Sequence, residues 1–595
     1  MITKPLWMAC VGAAIAGGVS AQQMFPLPAT TTDTTSTEST APFLAPMGVK
    51  QTLITDRKTL SVRGLPSSFS NWDMVAFDPT ARYVFVPAEV GSGAGVFRYD
   101  TQSGAIATLM RGNESGTRTS DPKIWSATND DFARIDPASW SPWGSIITGE
   151  ETTGGRLFEI TNPMASGNFS VKWRDNIPAV SHEGLRFDKD GALYFVDEDN
   201  SGSIYKFVPK NKGDLSVGQS FVLSVDAFAN NKSAAPNESW SSTANRATTR
   251  TGFATWVPMT DADGKALTTA NPFAFVTTTG GRTAADELRG TPYGRPEDVD
   301  FNYLASGNQA LYFTATSENR VYSVELHDAT RAIVRVFCDF DTINLATGKD
   351  VNPLQNDPYT SPGPDSSTIF NNPDNLAVDA YGNVYVIEDA NPGDIWKCYD
   401  ANKDGVAESV GLFVSLGVAG CEPTGLIQDP TNRGRMICCI QHPSSGNDAL
   451  WAFDVCPFPG SGADLHLGIG INVPANGGAG EFVRGVETGD WVTFHVSSRS
   501  AYVGAPYALL LQFPSNTPRQ FLPGIWMDLG QPMIVLAGGS QLNFPTVLSP
   551  FGASLTVQVP PGLTGLTVMS QAVSSARNVN GGLVSFSDAF ETCFK

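Results

Sequence analysis

The chain has 595 residues, among them 58 glycines and 40 prolines, and only 16% of its residues are charged. That length exceeds what one hydrophobic core serves, so at least two domains are expected. A formal net charge of −20, from 59 acidic against 39 basic side chains with no Lys/Arg block, disfavours nucleic acid as a partner and suits a cation binder.

In chain order, Lys4 precedes the apolar run "PLWMACVGAAIAGG" and then "VSA", a small-x-small cleavage pattern ending at Ala21. Residues 1–21 therefore read as a Sec-type signal peptide, too short to span a membrane, and the mature protein is expected to be secreted or periplasmic and monomeric. Residues 22–48, with "ATTTDTTSTESTA" from Ala29 to Ala41, carry no apolar period and are expected to be a disordered spacer.

From Asn71 onward one pattern recurs, beginning with "NWDMVAFDPTARYVFVPAEVGSGAGVFRYD". Its relatives start at Ala138 ("ASWSPWGSIITGEETTGGRLFEI"), His182 ("HEGLRFDKDGALYFVDEDNSGSIYKF"), Arg295, Pro373 and Glu422. Each has a polar or acidic opening, a short strand, a turn rich in Asp or Gly, and a second apolar strand closing on small, acidic or amide residues. Repeated about six times, this is the arithmetic of an all-β, six-bladed β-propeller over residues 49–455. Residues 211–290 hold an insertion or one further degenerate blade, and an array of ordinary β-sandwiches is the competing architecture.

In a propeller the innermost strands line a channel, so acidic openings far apart in sequence converge on one mouth. So many carboxylates are tolerable only beside cations. "WGSIITGEETTGG" then contributes Glu150 and Glu151 to a metal cluster. Oxygen donors favour Ca²⁺, Mg²⁺, Mn²⁺ or oxidised iron over zinc or copper. Separately, "DANKDGVAE" sets Asp400, Asn402, Asp404 and Glu408 at calcium-loop spacing with Gly405 at the sharp turn, against the plainer reading of an Asp-Gly hairpin connection.

From 456 to 595 the acidic openings cease, and segments such as "DWVTFHVSS" and "SLTVQVPPG" read as an accessory β-sandwich. Without Cys10 seven cysteines remain, an odd number; a staple between Cys456 and Cys593 is the pairing expected, with Cys438 and Cys439 as buried hydrophobes.

The pieces "WGSIITGEE", "HEGLRFDKDGALYFVDED", "GRPEDVDF", "NPDNLAVDAYGNVYVIED" and "CEPTGLIQ…IQHPSSG", in this order over roughly residues 71–454, resemble the PhoX-type alkaline phosphatases. The resemblance implies a secreted, metal-dependent phosphomonoesterase acting on a small phosphate ester, with calcium and iron held in the channel. It implies Glu150, Glu151, Glu183, Glu297, Asp374, Asn375, Glu388 and Glu422 as metal ligands, Arg295 and Glu297 as catalytic, and His442 as a residue orienting a ligand. In that family the acidic pair follows a cysteine whose thiolate binds iron; here the position is Gly149, with Cys421 the nearest substitute, and the signal lacks the family's twin arginines. Two other readings stay open: a calcium-dependent lactonase-like hydrolase, because "NPDNLAVDAYGNVYVIED" also resembles those repeats, and a non-catalytic, metal-stabilised binding propeller.

Overall fold

The computed structural model describes residues 26–27, 29–31, 37–46, 49–353, 355, 359, 370–379, 382–391, 393–432, 434–455, 465–471, 483–498, 502–513, 533–538, 547–549, 553–575 and 584–594. The signal peptide and Cys456 lie outside them, so the Cys456–Cys593 pairing does too. No helix among the described residues is long and apolar enough to cross a membrane.

The protein is all-β. Short apolar runs such as "YVFVPA" at Tyr83–Ala88 and "LYFVD" at Leu193–Asp197 form strands buried on both faces. Alternation along each strand explains the burial, because successive side chains leave opposite faces. Val84 and Val86 pack with Ile437, Cys439 and Leu450 on one side, while Phe85 packs with Ile146 and Phe158 on the other.

Up to residue 455 the strands form largely antiparallel units in which consecutive strands are mostly neighbours, the short Ile343–Asn344 pairing parallel to Ser409–Leu416 being an exception. The first runs from Ala76–Phe77 to Ile106–Arg111 and the second from Ile135–Trp140 to Ser170–Trp173. The third starts at His182–Phe187, the fourth at Pro296–Tyr303, the fifth at Pro373–Val378 and the sixth at Glu422–Gln428. The outer strand of the sixth comes from the other end of the chain: Val49–Asp56 pairs antiparallel with Ala449–Val455. Apolar clusters bridge each unit to the next, and the cluster of Trp72, Val84, Phe97, Ile437 and Leu450 bridges the sixth back to the first.

The stretch 211–290, read above as an insertion or a degenerate blade, forms no separate sheet among the described residues: its strand Gly252–Pro258 pairs with Asp214–Val225 on one side and Arg331–Cys338 on the other, fusing the third and fourth units into one nine-stranded sheet. The spacer does not hang free over its described residues. Thr30 Oγ1 donates to Asp394 (3.0 Å), the Trp451 indole donates to the Glu38 carbonyl (2.8 Å), and Phe43–Leu44 pairs with Ser415 and Leu416. Docking satisfies backbone groups that a polar stretch would otherwise leave to water.

The strands from Leu465–Ile471 to Ser585–Phe594 form two separate sheets. Their buried clusters contain only residues beyond 464, and no cluster of the preceding units reaches into them. A chain of residues 22–455, which keeps the docked Thr30 and Glu38, is therefore expected to fold alone, with a cooperative thermal transition and the activity of the full protein. A product without a cooperative transition would make the last region part of the same folding unit.

Candidate metal centre

One backbone device repeats in five units. The residue after the second strand donates its N–H to a carbonyl just before the first strand: Glu89 to Asn71 (2.9 Å), Glu151 to Arg134 (2.8 Å), Glu198 to Ser181 (3.0 Å), Thr316 to Arg295 (3.1 Å) and Asp389 to Asn372 (3.0 Å). Two residues beyond each acceptor stands an acid: Asp73, Asp136, Glu183, Glu297 and Asp374. Thus each unit delivers an opening acid and, in four of the five, a closing acid to the same mouth. Asn71, Arg134, Arg295 and Asn372 adopt left-handed backbone (φ +55°, +47°, +50° and +44°). Asparagine tolerates this conformation; for arginine it is strained, and such strain gathers at functional sites.

The acids converge in four overlapping groups, within each of which one oxygen per carboxylate lies within 4.8 Å of the others. These are Asp73 with Glu89 and Asp136, Glu151 with Glu183 and Glu198, Glu183 with Glu297 and Asp374, and Asp374 with Asp389 and Glu422. Glu183 and Asp374 each belong to two groups, so the last three are continuous. Against these ten carboxylates stand two guanidiniums. Arg134 lies 3.5 Å from both Glu89 and Glu151, and Arg295 lies 2.6 Å from Glu198 and 3.1 Å from Glu297.

Burial, reinforced by neighbouring acids, favours the protonated form of seven of the ten carboxylates. Glu151 is pushed up to about 12, Glu422 to about 10, and Asp73 and Glu297 to about 8. Asp136, Glu183 and Asp374 are driven well above the usual carboxylate range for the same reason. Asp136 Oδ1 is buried without any hydrogen-bond partner. A buried acceptor left bare is costly, and a cation would satisfy it.

Of the ligands expected from sequence, Glu151, Glu183, Glu297, Asp374 and Glu422 lie in these groups, and Arg295 stands beside them. Glu150 does not. It is fully buried, facing away, and held by Arg156 (Nη2, 2.8 Å) and Arg118 (3.0 Å). Alternation makes adjacent residues diverge, so Glu151 faces the mouth and Glu150 braces the unit's back. Asp197, paired with Arg282 (2.6 Å), occupies the corresponding place in the third unit. Glu388 occupies it in the fifth, accepting from the Trp396 indole (2.9 Å) and Asn371 N–H (2.7 Å), and so also lies outside the groups. Asn375 stitches two units together: its oxygen accepts from Thr424 (2.6 Å) and Gly425 (2.8 Å), while its amide orients Asp374 (2.9 Å).

His442, with φ +58°, places Nε2 3.7 Å from Glu422 at the rim, its side chain 44% exposed. The loop at Asp400 turns inward on itself. Asp400 accepts from the N–H groups of Asp404 (3.1 Å) and Gly405 (2.9 Å), Asn402 from Asp404 (2.8 Å), Asp404 from Val406 (2.9 Å) and Glu408 from Ala401 (2.8 Å). None of these four joins a convergent acidic group among the described residues.

Asp73, Glu89, Asp136, Glu198, Asp389 and Arg134 escaped the sequence reading. The signal was present: "NWD", "VPAE", "RID", "VDED" and "VIED" hold the same positions in the repeat as acids already singled out.

The donor set is all oxygen, which fits hard cations such as calcium. A thiolate-bound iron does not fit. A Cβ on Gly149 would lie 2.6 Å from the His182 Cβ, so that position is filled from the neighbouring unit. Burial pushes the Cys421 thiol up to about 12, and its Sγ donates to the Val418 carbonyl (3.0 Å). The His182 ring, buried among apolar neighbours, stays neutral: burial lowers it to about 3. Gly149→Cys alone is accordingly expected to lower stability by about 1–3 kcal/mol through overpacking, without raising iron content. Pairing it with His182→Ala should recover part of the loss. Urea denaturation and elemental analysis of both variants check this; iron uptake by the single variant at unchanged stability would contradict the packing argument.

No curated protein matches the chain. Residues 154–444, which contain Glu183, Glu198, Arg295, Glu297, Asp374, Asp389, Glu422 and His442, match the family model of alkaline phosphatase PhoX.

Proposed function

We propose that the six units are the blades of a β-propeller and that the protein is an exported phosphomonoesterase whose channel mouth holds calcium-class cations. The observation that carries the reading is the convergence of ten mostly buried carboxylates on one mouth in a chain with a segment that matches the PhoX family model. Cations bound there supply Lewis-acid polarisation of phosphoryl oxygens and neutralise the carboxylates around them.

The chain's own residues then divide the remaining work. Arg295 is 37% exposed; Glu198 and Glu297 hold its Nε and Nη2, which leaves Nη1 to donate to a phosphoryl oxygen. Thr316 Oγ1 donates to Glu297 (2.7 Å), fixing the carboxylate behind that guanidinium. His442, half open to solvent beside Glu422, is placed to give a proton to a departing alkoxide.

The experiment is elemental analysis of the purified protein alongside hydrolysis of p-nitrophenyl phosphate, before and after chelation and calcium return. Calcium content with chelator-sensitive hydrolysis is expected. The packed Gly149 site and the turned-away Cys421 favour a second reading, in which calcium only stiffens the channel. Bound calcium without hydrolysis of any phosphomonoester would select it.

A further inference from the structure

A second polar pocket, of about 290 Å³, lies between the loop 246–251 and the strand Arg320–Leu326. None of the ten convergent carboxylates lines it. Its walls include Arg246, Arg250, Arg320, Thr249, Tyr322 and Tyr359. Three guanidiniums around one pocket are exceptional in a chain of net charge −20.

Their compensation is incomplete. Arg250, 5% exposed, is paired through both terminal nitrogens with Glu318 (2.7 and 2.6 Å). Arg320 reaches Asp339 only at 3.3 Å, and its Nε is buried with no acceptor. Arg246 lies over the Tyr359 ring (4.6 Å), donates through Nε to the Ser241 carbonyl (2.7 Å), and has no carboxylate partner among the described residues. Glu318 and Asp339 therefore answer two of three positive charges, leaving one surplus charge beside a cavity of polar lining, and one of the lining guanidiniums, that of Arg320, keeps a buried donor bare. Buried donors demand acceptors, and forked guanidiniums select oxyanions.

We propose that this pocket binds a phosphate-class oxyanion, either free phosphate or the phosphoryl group of a small ester, on Arg246 and Arg320 with Arg250 beneath. Glu318 also accepts from the Gly294 N–H (2.7 Å), so the pocket sits behind the turn that carries Arg295. The proposal does not rest on the catalytic reading, because binding here needs neither cations nor turnover.

The test is equilibrium dialysis of radiolabelled inorganic phosphate against the full-length, calcium-loaded protein, with the variants Arg295→Gln, Arg246→Gln and Arg320→Gln. A class of phosphate binding that survives Arg295→Gln and weakens about 10- to 100-fold in both other variants is expected. Arg246 is exposed, so its variant should retain the fold and reports independently if Arg320→Gln does not. Displacement by glycerol 2-phosphate, measured in chelator where hydrolysis is not expected and found tighter or weaker than by phosphate itself, assigns the ester or the free ion as the source. Loss of all phosphate binding in Arg295→Gln, or undiminished binding in Arg246→Gln, would overturn the assignment.

Discussion

Glu183→Gln is expected to lower phosphomonoester hydrolysis by at least about 100-fold and to release bound cation. Glu183 is the carboxylate shared by the group of Glu151 and Glu198 and the group of Glu297 and Asp374. Removing its single charge weakens two neighbouring sites at once, and even partners that only orient a ligand contribute about 10- to 100-fold in affinity or activity. Glutamine keeps the shape, so the fold should persist, and the metal-free variant should even be the more stable, since one crowded acid is gone. Elemental analysis, kcat/KM and a thermal melt of the same preparation separate these effects. Full activity with full cation content would remove Glu183 from the centre.

The contrasting substitution is Glu150→Gln, one residue from the site. Glu150 closes a network with Arg156, itself fully buried and also paired with Asp130, and with Arg118. Breaking a buried pair from one side leaves a charge without its partner, at about 3–5 kcal/mol. The variant should therefore lose stability while the folded fraction keeps its cation content. Two adjacent glutamates, one deciding binding and the other folding, follow from nothing more than the two faces of a strand.

That pair also marks how far the sequence could be read. The repeat was legible because each apolar second strand, from "YVFVPA" to "VYVIE", ends on a small, acidic or amide residue. What could not be read was which of two neighbouring acids turns toward the mouth, because that depends on where the strand pairing ends. Ile135 faces Glu150 and Pro373 faces Glu388 in their ladders, so the next residues, Glu151 and Asp389, lie just past the pairing. The acids of the first two units, Asp73, Glu89, Asp136 and Glu151, precede the matched segment at 154, and for the first three only the repeat geometry places them. Glu422 misled in a different way: it lies one position earlier in its unit than the other opening acids, facing Gln441, yet still reaches Asp374 and Asp389. The docking of Leu27, Thr30, Glu38 and Phe43 was invisible because it uses backbone and hydroxyl groups and two isolated apolar anchors rather than an apolar period.

Stripped of cations, the protein should become less stable as pH rises from 5 to 9. Burial and mutual repulsion hold Asp73 and Glu297 at about 8 and Glu422 at about 10, against ordinary values of 3.8 and 4.5 in an unfolded chain. Within that window the folded state binds more protons than the unfolded state. Stability therefore falls with rising pH, being fully present only below the unfolded values and lost through the folded ones. Summed over several coupled groups, the effect should be on the order of several kcal/mol, enough to shift a melting temperature visibly. Calcium should act in the opposite sense, because it binds the deprotonated carboxylates and competes with protons. Its stabilisation should thus be small at pH 5 and large at pH 9. The measurement is a series of calorimetric melts across this range, in chelator and in excess calcium. Keeping above pH 5 avoids the titration of carboxylates that hydrogen bonds and ion pairs hold low, such as Asp100 and Glu159. The buried His182 and Lys206, lowered to about 3 and about 8, act in the opposite sense within the window, and the more numerous raised acids outweigh them. Melts in chelator that stay level or rise with pH would mean that the acids at the mouth are not crowded in solution, and the case for cations there would fail.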